Sequence, residues 1–164
     1  VNKKKNSILY QSIGIIHSPF KDSIGTPIQP VASPNSKATV EVFDEYAEGL
    51  IDIEGFSHLI LIFHMHLVNQ PKLKVIPFLD TAEHGVFATR SPGRPNPIGF
   101  SVVQLEKVDG NILHIAGVDI IDGTPLLDIK PFVPAFDVRK ANKIGWFDKM
   151  NIEIAIIKDD GRFC

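Results

Sequence analysis

Three stretches of the chain hold side chains able to do chemistry. Residues 88–99, ATRSPGRPNPIG, carry two arginines, three prolines and two glycines without one carboxylate. Proline fixes its own φ and pushes the preceding residue to extended backbone, so Pro92, Pro95 and Pro97 also restrict Ser91, Arg94 and Asn96. A loop restricted in this way loses little entropy when it binds. Arg90 and Arg94 held on it suit a phosphate or a carboxylate, which a guanidinium grips with two parallel hydrogen bonds. The alternative is a stiff connector whose arginines pair with distant acids such as Asp119 or Glu83.

The second stretch, DIIDGTPLLDIKP at 119–131, places Asp119, Asp122, Asp128 and Lys130 around an Asp-Gly turn. Its carboxylates could hydrogen-bond ribose hydroxyls or accept a proton, or they could simply cap their own backbone. The third stretch is His64-Met65-His66. Two histidines two apart on a strand share a face, and the spacing is one that metals use. No acid follows in LVNQPK, which favours a hydrogen-bonded histidine or a small-molecule contact over a metal ligand.

These loops need a scaffold. The 164 residues suit one domain with a real core. Most apolar runs are short, rich in Val, Ile and Phe, and bounded by Pro, Gly, Asn or Asp, which is strand chemistry. The pattern predicts strands over 12–18, 38–43, 58–67, 73–78, 86–89, 100–108, 112–120, 126–132 and 151–158, and a short helix over 44–50. Asp109-Gly110 marks a hairpin between two of them. Many short strands at this spacing predict a mostly β barrel or sandwich.

Composition excludes several classes. Net charge is −2, so any contact with nucleic acid needs locally concentrated positive charge. The single cysteine, Cys164, excludes an internal disulfide and a cysteine-rich zinc site, and fits a reducing compartment. The longest apolar run, LILIF, is far short of a membrane span, and no apolar block follows the basic VNKKKNS, so a cytoplasmic protein is expected. There is no GxGxxG, Walker A loop, GxSxG or HExxH, so a nucleotide-type cofactor would need a site of another kind.

In order along the chain, IGIIHSPF, PIQP, GLIDIEGFSHLILIFHMH, GVFATRSPGRPNPIGFSVVQLEKV and DIIDGTPLLDIKPFVPAFD closely resemble the TrmO (TsaA-like, YaeB-like) family. The resemblance runs from about Ile13 to Asp137. It implies a homodimeric, single-sheeted β-barrel with a few short helices. Its implied activity is S-adenosylmethionine-dependent methylation of N6 of threonylcarbamoyladenosine at tRNA position 37, in the anticodon loop. No metal is expected. A basic tail over 1–11, a barrel domain over 12–137 and an extension over 138–164 packed on the barrel follow from it. Only 27 residues follow Asp137, which is similar to the shorter, archaeal-type members. The resemblance assigns the cofactor pocket to Pro27, Gln29, Pro30, His66, Leu67, Arg90, Asp122, Gly123, Thr124 and Pro125. It turns Arg94, Asn96 and Lys130 toward the substrate, whose carboxylate a bidentate arginine would recognise. Asp122, Asp128 and His66 are candidates for the general base, in no fixed order, and Arg139, Lys140 and Lys143 for phosphate contacts. Two rival readings are a non-catalytic RNA-binding barrel and a metal-dependent small-molecule enzyme using His64 and His66.

Overall fold

The computed structural model describes residues 7–29, 33–68, 70–149 and 158–163. Six strands close into an antiparallel barrel: β1 (Gly14–His17), β2 (Lys37–Val42), β3 (His58–His64), β6 (Ile98–Asp109), β7 (Ile112–Ala116) and β8 (Thr124–Pro131). The order around the barrel is β1-β2-β7-β6-β3-β8, with β8 pairing back onto β1. The remaining strands, β4 (Lys74–Val75) and β5 (His84–Gly85), form a separate two-stranded ribbon.

Alternation along the strands decides the core. In β3, Leu59, Leu61 and Phe63 are buried while the residues between them are not. Val40 and Val42 of β2, Val103 of β6, Leu113 and Ile115 of β7 and Leu126 of β8 join them in one cluster. Because the side-chain period is two, a one-residue slip would turn this whole set outward. Register is therefore well specified. The β6–β7 hairpin is closed at Gly110, whose φ of +61° only glycine adopts without cost.

One close approach shapes the end of the barrel where the loops gather. Phe63 pairs in register with Gly99, and a Cβ on Gly99 would lie 2.2 Å from the Phe63 ring. The absent side chain lets the ring lie across the start of β6.

Several elements differ from the sequence expectation. Residues 86–89 do not form a strand: Val86–Ala88 is a single 3-10 turn, closed by the amide and hydroxyl of Thr89 donating to the Val86 carbonyl. β3 stops at His64, so His66 lies in the turn beyond it and the two histidines do not share a strand face. β7 stops at Ala116 because Gly117 turns the chain with φ +74°, although Val118 and Ile120 stay in the core. Residues 73–78 shrink to the two residues of β4, and Asp44–Leu50 is a 3-10 helix. The strand expected over 151–158 falls outside the described residues except for Lys158, which bridges to Pro27. Among the described residues no helix is long and apolar enough to cross a membrane.

Candidate functional site

A cavity of about 890 Å³ opens at the barrel end where β3 finishes and β6 and β8 begin. Its floor comes from Phe63, Gly99, Ser101 and Ile120. Loops supply its walls: Pro27 and Gln29, Met65 to Val68, Thr89 to Pro92 with Arg94, and Trp146 with Phe147. The volume and the largely apolar lining with a few polar groups suit a small-molecule site.

Arg90 is exposed at the cavity wall. Its Nη1 donates to Gln29 Oε1 at 2.8 Å, and its guanidinium lies 5.4 Å from the centroid of the Phe100 ring. The arginine is thus fixed between an amide and a π-face. Arg94 is half-buried, and its Nη1 donates to the carbonyls of Thr89 at 3.3 Å and Ser91 at 3.1 Å. Part of its donor capacity therefore braces the proline-rich loop itself. Asn96 is exposed on the same loop and does not line the cavity.

His66 Nδ1 lies 3.3 Å from Thr124 Oγ1, and both residues line the cavity. Burial, and after it the charge of His64, lower the His66 pKa and so favour the neutral imidazole. Thr124 is presented by a clamped turn. Asp122 accepts from the Ser18 amide at 2.9 Å and from Lys21 Nζ at 2.6 Å, and the Gly123 amide donates to the Ile16 carbonyl at 2.9 Å. The Lys21 ammonium and the Ser18 amide hold the Asp122 pKa below the usual carboxylate value.

Of the residues singled out from sequence, the structure thus gathers Pro27, Gln29, His66, Leu67, Arg90, Arg94 and Thr124 around one cavity. Asp122, Gly123 and Pro125 flank Thr124 without lining it, and Pro30 lies outside the described residues. Asp128 and Lys130 are ion-paired at 2.7 Å on β8, away from the cavity. Arg139, Lys140 and Lys143 are exposed in the segment that follows the barrel. Among the described residues no group of three His, Cys, Asp or Glu side chains could hold a metal ion.

Sequence reasoning missed other residues of the cavity. Asp119, which the sequence offers only as a turn carboxylate or a distant partner of the loop arginines, lines the cavity three residues before Asp122, with Arg90 as a neighbouring charge. Ser101 Oγ donates to its Oδ1 at 2.6 Å. Burial pushes its pKa up to about 6, against the opposing pull of the Ser101 hydrogen bond and the Arg90 charge. The signal lay in Val118-Asp119-Ile120, where an acid sits between two core residues. Trp146 also lines the cavity, stacked between His84 and Phe147, with its Nε1 donating to the Ala88 carbonyl at 2.8 Å. Asp159 and Phe163 arrive because the Gly25 amide donates to the Asp159 carbonyl and the Asp159 amide to Thr26. No local pattern foretells that long-range pairing.

A family model for the tRNA-methyltransferase O N-terminal domain matches residues 15–138. The chain belongs to the TrmO family. It is 57% identical over 156 residues to a probable S-adenosyl-L-methionine-binding protein of Pyrococcus abyssi, covering 95% of this chain and 85% of that protein. It is 42% identical to the tRNA (adenine(37)-N6)-methyltransferase of Mus musculus, covering 80% of this chain and 32% of the mouse protein. The crystal structure of TrmO from Pseudomonas aeruginosa superposes with a TM-score of 0.73 at 36% identity, over 88% of this chain and 63% of that one. The chain thus spans most of the Pyrococcus abyssi protein and only a part of the mouse and Pseudomonas aeruginosa ones.

Proposed function

We propose that the chain binds S-adenosylmethionine in the barrel-end cavity and transfers its methyl group to N6 of threonylcarbamoyladenosine at position 37 of tRNA. The observation that carries this reading is the meeting of Gln29, His66, Arg90 and Thr124, from four separate segments, around one cavity in a TrmO-family barrel. The donor set fits such a cofactor: apolar walls for a flat base and a thioether, with an amide, a hydroxyl, an imidazole and a guanidinium for its polar groups. Pro27, Gln29, Leu67, Thr124 and Arg90 would hold it. When bound, it would supply an electrophilic methyl carbon open to in-line attack, so alignment provides much of the rate.

Arg94 meets the substrate. Its Nη1 is held by loop carbonyls, and none of the described residues takes a hydrogen bond from its Nε or Nη2, leaving those donors for the threonyl carboxylate. Asn96, exposed on the same loop, faces the anticodon loop, and Arg139, Lys140 and Lys143 take phosphates. Asp122 positions the Thr124 turn through Ser18 and Lys21. A homodimer acting in the cytoplasm completes the reading.

Incubating the protein with methyl-labelled S-adenosylmethionine and tRNA, with or without the threonylcarbamoyl group, tests it. Label is expected in the modified tRNA alone. No label in either, from protein that binds the cofactor, would favour a non-catalytic RNA-binding barrel. Activity abolished by a chelator would favour the metal-dependent alternative.

A further inference from the structure

N6 of the substrate lies between an adenine ring and a carbamoyl group, so its lone pair is delocalised and it carries one proton. It becomes a nucleophile only as that proton leaves, and a positioned base must accept it. Asp122 is tied to Lys21 and Ser18, and Asp128 to Lys130, and neither lines the cavity. Among the described residues, the charged and titratable groups that line it are Arg90, Arg94, His66, Asp119 and Asp159. The arginines stay protonated at all working pH. Asp159 sits on the C-terminal segment and accepts from the Gly161 amide at 2.7 Å. His66 has its Nδ1 against the Thr124 hydroxyl. Asp119 alone of the three stands between two core residues of the barrel, Val118 and Ile120, with its carboxylate accepting from Ser101 of β6 and Arg90 as the neighbouring charge.

We propose that Asp119 is the proton acceptor of the transfer, an assignment that rests on the methyltransferase reading above. The N6–H bond breaks and its proton passes to a carboxylate oxygen of Asp119. The electron pair of N6 forms the new bond to the methyl carbon. The carbon–sulfur bond breaks with its pair going to sulfur, which leaves as a neutral thioether. One positive and one negative charge disappear together, an outcome that the apolar walls of the cavity favour. Ser101 is a positioning residue: its hydroxyl orients the carboxylate and stabilises the charged, proton-accepting form.

Single-turnover methylation of modified tRNA, followed against pH for the wild-type chain and for Asp119→Asn and Ser101→Ala, tests the assignment. Cofactor affinity is measured in parallel by calorimetry. The wild-type rate should rise through a pH of about 6 and then level off. Asp119→Asn should bind S-adenosylmethionine as the wild type does, turn over about 100-fold or more slowly, and lose that limb. Ser101→Ala should move the limb to higher pH, because the lost hydrogen bond favoured the carboxylate. In the cofactor-free protein the Asp119 carboxyl carbon should titrate near 6 by NMR.

Asp119→Asn with an unchanged rate and limb overturns the proposal. So does loss of cofactor binding in that variant, which would make Asp119 a cofactor ligand. An Asp119 midpoint at the ordinary carboxylate value, or an unmoved limb in Ser101→Ala, also contradicts it. A wild-type chain that binds the cofactor yet labels no tRNA overturns the methyltransferase reading, and this assignment with it.

Discussion

A carboxylate buried in a cavity wall weakens the fold that holds it, because folding must strip water from its charge. Asp119 has a folded pKa of about 6 against an ordinary value of 3.8. Between those values the folded chain holds a proton that the unfolded chain has released. Stability is therefore greatest below the lower value, falls across the window, and stays reduced above about 6. Asp119→Asn keeps an acceptor for Ser101 and removes the charge, so it should be more stable than wild type at pH 8, by on the order of 2 kcal/mol. At pH 4 the two should unfold at nearly the same urea concentration. A variant that is less stable at both pH values would contradict the burial argument. Arg94 supports a different expectation. Arg94→Ala should lose most of the preference for threonylcarbamoylated over plain tRNA, read from kcat/KM on the two substrates, while Asn96→Ala should change it little.

The strands set where these side chains can stand. Phe63 of β3 and Gly99 of β6 meet with no room for a Cβ between them, so Gly99→Ala must displace the ring or the strand. Overpacking of this kind costs about 1–3 kcal/mol and should lower the thermal midpoint together with cofactor affinity, since both residues line the cavity. Leu61→Ala, in the middle of the same strand and fully buried, should cost about 2–5 kcal/mol. Strand chemistry was legible along β3, β6, β7 and β8 because alternation and the Asp109-Gly110 turn are local signals. It misled at Val86–Ala88, where β-branched and aromatic residues sit in a turn closed by Thr89. The same limit applies to the site. Gln29, Arg90 and Thr124 were legible from loop chemistry and family resemblance. Asp119 reads in the sequence as a turn carboxylate or a distant partner of the loop arginines; its place between Val118 and Ile120 hints at burial, but that the barrel brings it to the cavity wall beside Ser101 is not a local property. Trp146, Asp159 and Phe163 reach the cavity through contacts across the chain that no spacing reveals.

At the scale of the whole molecule, a chain of net charge −2 has no general attraction for RNA. On the methyltransferase reading proposed above, grip on tRNA falls to a few cations, and Arg139, Lys140 and Lys143 lie exposed after the barrel. Three phosphate contacts predict a shallow salt dependence, a slope of about −2 in log affinity against log salt. A much steeper slope would place the grip on a larger basic surface. The chain spans 32% of the mouse methyltransferase and 63% of the Pseudomonas aeruginosa TrmO chain, so its barrel offers a compact setting in which to test the chemistry. The most direct measurement is nucleoside mass spectrometry of threonylcarbamoylated tRNA after reaction with the protein and S-adenosylmethionine. We expect the position-37 nucleoside to gain one methyl group, located on N6. An unshifted nucleoside from protein shown to bind the cofactor, or a methyl at any other atom, would contradict the account.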